Sequence, residues 1–471
     1  PLEKLTNYSI QKLDKISGPN SVKEIFRNTI SSKNELVSYS AGSHISILPK
    51  LQLDRFSLLR DFLIIEDSKI NTSNHTEFIS LPLTFEDDFP HLSQLCKTNK
   101  GLVSKDDLIT YVIDFNSIIK KNSLEKLMEK TKELYSSKRL NEEANTIITG
   151  QLQVFIEHYS KEVLSNKITS YEVLFWMNQV ISDTSLYCIS SDTSSTGLVL
   201  STYDLFDLLP VKKPRKYSIS TNKKTDRFIE IYFSVVRNEV KRTLTSVSEK
   251  HSFSTDNHYF YGEATNYMKN LSEEQPIIVC GVENSFPFPH YEHISKSAPL
   301  VFISNGTGVT PVLSYLKSLS KTDMQTLGET ILISGIRSNS PMTNEAIEEQ
   351  FIEDFNKEFS SNNTIEKAFT YTSCVSTSED EDEECGVWRN VRINFDYVQD
   401  IVKDQKAQLY SLLFEQQGTM MVCGDLEKIF DDVKSFLVQE IKKQKKLDPS
   451  EALKVFEQAK TSGKILVEKW N

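Results

Sequence analysis

The 471-residue chain carries no signature of a metal module or a disulfide scaffold. Its six cysteines, Cys96, Cys188, Cys280, Cys374, Cys385 and Cys423, form no Cys-x-x-Cys pair, and no cysteine–histidine cluster has zinc-site spacing. Scattered thiols in a large chain fit a reducing compartment, so a cytoplasmic location is expected. Long apolar runs are missing too. The longest are short, such as Ala298-Pro299-Leu300-Val301-Phe302-Ile303, against the roughly 20 residues a membrane-spanning helix needs. No signal-peptide pattern opens the chain. Positive charge is the third shortage: 54 Lys and Arg against 65 Asp and Glu leave a net charge of −11. Nucleic-acid backbones are bound by concentrated positive charge, so no nucleic-acid partner is expected.

What is present is chain enough for several folding units, at roughly 150 residues each, and a change of texture along its length. The segment Ser43-His44-Ile45-Ser46-Ile47-Leu48 alternates polar and apolar residues before Pro49, which predicts a half-buried strand. From 104 to 181 the texture is helical, with no proline and Gly150 as its one glycine. Ser104-Lys105-Asp106-Asp107 reads as an N-cap and an acidic first turn, and Leu108, Tyr111, Val112 and Phe115 follow at helical spacing. Further helices are predicted over 124–134, 145–164 and 170–180. Strand texture returns at 228–236. After Pro299, apolar strands at 300–303, 330–334 and 419–423 each end in a small-residue turn and alternate with helices. That order predicts a doubly wound parallel sheet with its ligand crevice at the carboxyl ends of the strands. The six consecutive carboxylates at 379–384 repel one another and predict an exposed loop.

Five motifs carry possible chemistry, and each has a plain structural reading beside it. In Arg215-Lys216-Tyr217-Ser218, Arg215 and Tyr217 share one strand face, where a guanidinium could hold a phosphate and a phenol could stack on a planar ring; an ordinary edge strand is the alternative. Gly262-Glu263-Ala264-Thr265 offers free backbone N–H groups to an anion, or is an unoccupied helix start. Gly306-Thr307-Gly308 lies between a strand and a helix, where glycines admit a pyrophosphate, or it is a plain strand-to-helix turn. Cys423-Gly424-Asp425 closes another strand at the same sheet end, with a thiol that either touches a bound ring or is buried structure. Trp470, one residue from the last, either covers something flat or clasps the surface.

In this order the five motifs resemble the ferredoxin-NADP reductase superfamily and, more closely, the reductase half of the diflavin reductases, the group of cytochrome P-450 reductase. The resemblance covers nearly the whole chain. It implies a multi-domain α+β fold: an antiparallel FAD-binding β-barrel over 20–100 and 196–294, split by a helical connecting insertion at 101–195, followed by an α/β doubly wound NAD(P)H-binding domain at 295–471. It implies FAD held by Arg215, Tyr217, Ser218, Gly262, Ala264 and Thr265, with Trp470 over the flavin, and a nucleotide held by Gly306, Thr307 and Gly308. Ser218, Cys423, Glu468 and Trp470 would then flank the hydride path, Glu468 standing where many relatives have Asp. The implied function is electron transfer from NADPH through FAD to FMN, on a flavodoxin-like domain expected ahead of Pro1 or on a separate protein. Pro214 to Ser220, Thr265-Asn266-Tyr267 and the ending Glu-x-Trp look most like the cytosolic diflavin reductases of iron–sulfur protein assembly, which adds an iron–sulfur protein to the implied acceptors. Lys212, Lys213, Lys216, Lys223 and Lys224 gather near the flavin strand and either dock an acidic acceptor or form a solvated loop.

The departures from the family pattern concern NADPH. The glycine turn begins with Ser304-Asn305, Ser376-Thr377-Ser378 runs into the acidic stretch, and the family's Lys-x-Tyr-x-Gln is Phe395-Asp396-Tyr397-Val398-Gln399. Arg337, Arg389 and Arg392, with Tyr397 and Gln399, are left to hold a 2′-phosphate that neighbouring carboxylates repel. Two other readings follow: a reductase-like scaffold that has lost NADPH binding, and a reductase that prefers NADH.

Overall fold

The computed structural model describes residues 8–17, 23–32, 39–66, 68–71, 76–81, 88–89, 92, 102–185, 198–221, 228–240, 242, 244–248, 250–253, 259–284, 288, 298–318, 328–337, 369–376, 391–394, 397–424 and 426–469. Period-two strands build the first sheet: β1 (Tyr8–Lys15), β2 (Ile25–Ser32), β3 (Ser43–Leu48), β4 (Arg215–Ser218), β5 (Ile229–Ser234) and β6 (Pro276–Asn284). In β5, Ile229, Ile231 and Phe233 are buried while Glu230, Tyr232 and Ser234 are half-exposed, the alternation expected of a strand with one apolar face. The order is β5-β2-β1-β6-β3-β4, every neighbour is antiparallel, and a bridge between Ile219 and Ile231 links the two edges. Ile10, Phe26, Ile30, Ile45, Ile47 and Phe233 fill the space within.

One expectation changes here. β3 buries all six residues rather than alternate ones. It lies between β6 and β4; Ile45 and Ile47 face the apolar core, while on the opposite face His44 is covered by Glu283, Nε2 to Oε2 3.3 Å.

Between β3 and β4 the chain builds the helical region: α1 (Leu53–Phe62), a π-helical turn Leu108–Val112, α2 (Lys121–Ser136), α3 (Glu142–Glu157) and α4 (Ser170–Ser185). The helix expected over 145–164 stops at Glu157, where His158 leaves helical geometry at φ −111°, and a π-helical turn Ser160–Leu164 follows. Leu124, Leu127, Ile148, Leu152, Phe155, Val173 and Trp176 make its core. A strap after β5 is fastened over these helices by buried polar groups. The Gln151 carboxamide donates to the Thr245 carbonyl at 2.8 Å and accepts from the Val247 amide at 3.1 Å. Glu162 accepts from the Thr245 amide and hydroxyl, and Arg242 pairs with Glu172 at 2.8 Å.

The second sheet comprises β7 (Leu300–Asn305), β8 (Thr330–Arg337), β9 (Phe369–Ser376), β10 (Val391–Asn394), β11 (Thr419–Gly424) and β12 (Ile465–Lys469). Its order is β10-β9-β8-β7-β11-β12, parallel throughout. Helices α5 (Glu263–Lys269), α6 (Thr310–Ser318), α7 (Leu426–Lys445) and α8 (Pro449–Thr461) complete the main elements, the last three belonging to this half. The strand order reverses between β7 and β11, so the ligand crevice of such a sheet opens beyond the carboxyl ends of these two strands. Gly306-Thr307-Gly308 follows one and Cys423-Gly424 ends the other. Among the described residues no helix is long and apolar enough to cross a membrane.

Candidate functional site at the junction of the two sheets

A hydrogen bond between the sheets defines the site. The Ser218 hydroxyl, at the end of β4, donates to Glu468 Oε1 in β12 at 3.2 Å, and both residues are buried. Glu468 is the register partner of Cys423 in β11, so three residues far apart in sequence meet at one place. A second tie lies close by, where Ser314 Oγ in α6 donates to the Thr221 carbonyl at 3.0 Å. Burial pushes the Cys423 thiol well above its ordinary pKa, and the Glu468 charge pushes further in the same direction. Cys423 is therefore a neutral thiol at pH 7, a packing and contact group rather than a nucleophile.

The other face of β4 carries the pair expected from the strand period. Tyr217 packs edge-on against Phe233, centroids 6.3 Å apart, and burial raises its phenol pKa against the opposing pull of Arg215. Arg215 itself is exposed.

His44 lies directly opposite Ser218 across β3 and β4. The neighbouring Ile219 amide bonds the Ser43 carbonyl at 3.0 Å, which makes His44 and Ser218 a non-hydrogen-bonded pair, the kind whose side chains lie closest. Burial and the nearby Lys216 charge hold the His44 imidazole below its ordinary range, while Glu283 pulls the other way. The folded chain thus resists protonating His44, whereas the unfolded chain takes up that proton near pH 6.5. Stability from this group is present above that pH and is lost as pH falls through the folded value. The melting temperature should drop between pH 7 and pH 5, and drop less in His44→Asn; equal slopes would show that His44 does not contribute.

The glycines divide into two kinds. Gly306 has φ +51° and nothing within 4 Å of where a Cβ would stand, so the turn faces open space. At Gly308 a Cβ would stand 2.8 Å from the Cys423 carbonyl oxygen and 2.8 Å from Gly424 Cα. Gly424 has φ +124°, and a Cβ there would collide with Asn305 Oδ1. Gly262 is tight for a local reason, since its Cβ would be 2.7 Å from Val236 Cβ. Thr265 Oγ1 accepts from the Val236 amide at 3.0 Å and donates to the Gly262 carbonyl at 3.3 Å, and Ala264 beside it is buried. A cradle for a dinucleotide must be open in front and tightly backed behind, and Gly306 over Gly308 has that form.

No family model matches the sequence. Over 271 residues the chain is 22% identical to NADPH–cytochrome P450 reductase of Drosophila melanogaster, covering 56% of this chain and 34% of that protein. It is 24% identical over 315 residues to the sulfite reductase [NADPH] flavoprotein alpha-component of Mannheimia succiniciproducens, covering 65% and 44%. The chain is homologous to the reductase half of the diflavin reductases. A third relative is the NADPH-dependent diflavin oxidoreductase 1 of Candida albicans, 21% identical over 266 residues, 56% of this chain and 37% of that one. The matched part thus spans about a third to under a half of these diflavin reductases.

Other expected site residues of a diflavin-reductase half fall as follows. Arg337 ends β8, two positions beyond Gly335, the register partner of Asn305. Tyr397, 55% exposed, stands at the N-cap of the helix Val398–Asp404, with Gln399 in its first turn. Trp470, Asp425, Arg389, Lys223, Lys224 and the acidic run at 379–384 lie outside the described residues. Lys212 leaves the expected surface group, because its Nζ turns inward to Glu263 Oε1 at 2.7 Å and to the Thr110 carbonyl at 3.0 Å. Lys213 is exposed, and Lys216 pairs with Glu283 at 3.0 Å. Reading the sequence missed Glu263 and His44. A lone carboxylate amid Gly262, Ala264 and Thr265 was the one available hint.

Proposed function

We propose that the chain is the FAD- and NADPH-binding half of a diflavin reductase, passing electrons to FMN on a further domain or on a protein acceptor. The observation that carries this reading is the hydrogen bond from Ser218 to Glu468 beside Cys423, which joins the two sheets where a flavin edge and a nicotinamide would meet. The proposed units are a FAD-binding barrel at 20–100 and 196–294, the insertion at 101–195 and the nucleotide domain at 295–471. The donor set fits the cofactors: an exposed guanidinium and a half-buried phenol on one strand face, and a turn open in front of Gly306.

Arg215, Tyr217, Gly262, Ala264 and Thr265 would hold FAD, with Trp470 over its ring, and Gly306, Thr307 and Gly308 the NADPH diphosphate. Arg337, Tyr397 and Gln399 are the proposed contacts to the 2′-phosphate end. Held by these residues, FAD would supply the capacity to take a hydride from NADPH and to release electrons singly. The chain's own part is orientation. Ser218 keeps its hydroxyl proton aimed at Glu468, the buried Cys423 thiol adds volume without charge, and the fixed Ser314–Thr221 bond preserves the spacing of the two sheets. Cytoplasmic residence and an iron–sulfur protein as final acceptor belong to the same proposal, with exposed Lys213 available to an acidic partner.

A scaffold without NADPH, or a preference for NADH, is less favoured, since the relatives above bear NADPH in their names. The test is anaerobic. The purified chain should be yellow, and NADPH should bleach it faster than NADH does; a flavin-loaded chain bleached by neither would overturn the reading.

A further inference from the structure

Two buried side chains tie the segment around Gly262 to the helical region, and neither belongs to the proposed catalytic group. Lys212 Nζ, 1% exposed, pairs with Glu263 Oε1 at 2.7 Å, and the Glu263 side chain is only 10% exposed. The same ammonium donates to the Thr110 carbonyl of the π-helical turn at 3.0 Å. Asn116 Nδ2 donates to the Tyr261 carbonyl at 3.2 Å, and its Oδ1 accepts from Arg55 of α1. The Lys212 segment is itself stitched to the insertion, since its amide bonds the Val112 carbonyl at 2.7 Å, the Asp114 amide bonds the Pro210 carbonyl at 2.9 Å, and Ile113 bridges Val211.

We infer that the Lys212–Glu263 pair is a positioning device through which the helical insertion fixes the proposed flavin turn, Gly262 to Thr265, and so sets FAD affinity. This rests on the reading of the chain as a FAD-binding reductase half. Three features support it. Glu263 stands inside the turn, directly between Gly262 and Ala264, so anchoring its carboxylate restrains the backbone of the turn. Lys212 lies three residues before Arg215, so one ammonium couples both flavin-contacting segments to a third, the Thr110 turn. And a buried ion pair commonly adds little net stability, because desolvation offsets attraction; what it supplies here is a fixed geometry.

That separation of stability from geometry gives the experiment. In Lys212→Met with Glu263→Met, two apolar side chains of similar volume replace the pair, a change that is often neutral or stabilising. The apoprotein should melt within a few degrees of the parent, while the FAD dissociation constant, titrated by fluorescence, rises roughly tenfold or more, since a turn displaced by about an ångström loses affinity on that scale. A double variant that binds FAD as tightly as the parent overturns the inference. Should it not fold, Lys212→Gln is read by amide hydrogen exchange: faster exchange confined to 262–266 supports the inference, and faster exchange spread evenly over β1–β6 overturns it. If the parent chain itself takes up no FAD, the proposed function fails, a result distinct from either.

Discussion

Ser218→Ala should slow anaerobic bleaching of the flavin-loaded chain by NADPH about 10²–10³-fold, the range seen when one preorganised donor is removed from a reacting centre. Its melting temperature should move little, because a single net hydrogen bond contributes about 1 kcal/mol. The hydroxyl donates to Glu468 Oε1 at 3.2 Å with both residues buried. Cys423 beside it is held neutral by burial, and the hydroxyl is the group aimed at the Glu468 side chain. Without the hydroxyl the Glu468 side chain loses the bond that orients it toward β4, and the two sheets lose one contact at the proposed reacting edge while the Ser314–Thr221 bond stays. Glu468→Gln keeps the shape and an acceptor oxygen but removes the charge, so it should retain more activity than Glu468→Ala. Stopped-flow traces decide the matter. A Ser218→Ala rate within twofold of the parent would remove this bond from the mechanism.

The halves of the molecule were unequally legible from sequence. Three of the six strands of the second sheet announced themselves as apolar runs ending in small residues, and β7, β8 and β11 stand where those runs do. β5 was visible because Ile229, Ile231 and Phe233 alternate with polar residues. β3 was placed correctly but misjudged in burial, because a period of two reports one apolar face and says nothing about what covers the polar one. Glu283, 239 residues further on, covers His44, and such partners are set by register. The strap over the helices was invisible for the same reason: Gln151, Glu162 and Glu172 are polar helix positions that look solvated until Thr245, Val247 and Arg242 arrive from afar. Lys212 shows the same limit in the site itself. A run of lysines near a strand suggested a basic surface, yet tertiary structure turned one of them inward onto Glu263. Local pattern fixes the elements; long-range pairing decides which charged groups end inside.

The motif Gly306-Thr307-Gly308 should separate into opposite phenotypes when each glycine is replaced. Gly308→Ala places a methyl 2.8 Å from the Cys423 carbonyl oxygen and 2.8 Å from Gly424 Cα. Both are backbone atoms at the end of β11 and cannot swing away as a side-chain tip would. Overpacking of this kind costs about 1–3 kcal/mol, and the strain falls on the strand that carries Cys423, so folded yield and melting temperature should fall together. Gly306→Ala meets nothing within 4 Å. Its penalty is the φ of +51°, about 1 kcal/mol for a residue with a Cβ, so the protein should fold and keep its flavin. What it should lose is the nucleotide, because the methyl occupies the open side of the turn that the diphosphate must approach. NADPH affinity should weaken at least tenfold, or about 1.4 kcal/mol, with FAD content unchanged. Titrating NADPH against both variants distinguishes a binding turn from a plain strand-to-helix connection. A Gly306→Ala chain that binds NADPH like the parent would mean that the dinucleotide enters elsewhere and that both glycines serve only the turn between β7 and α6.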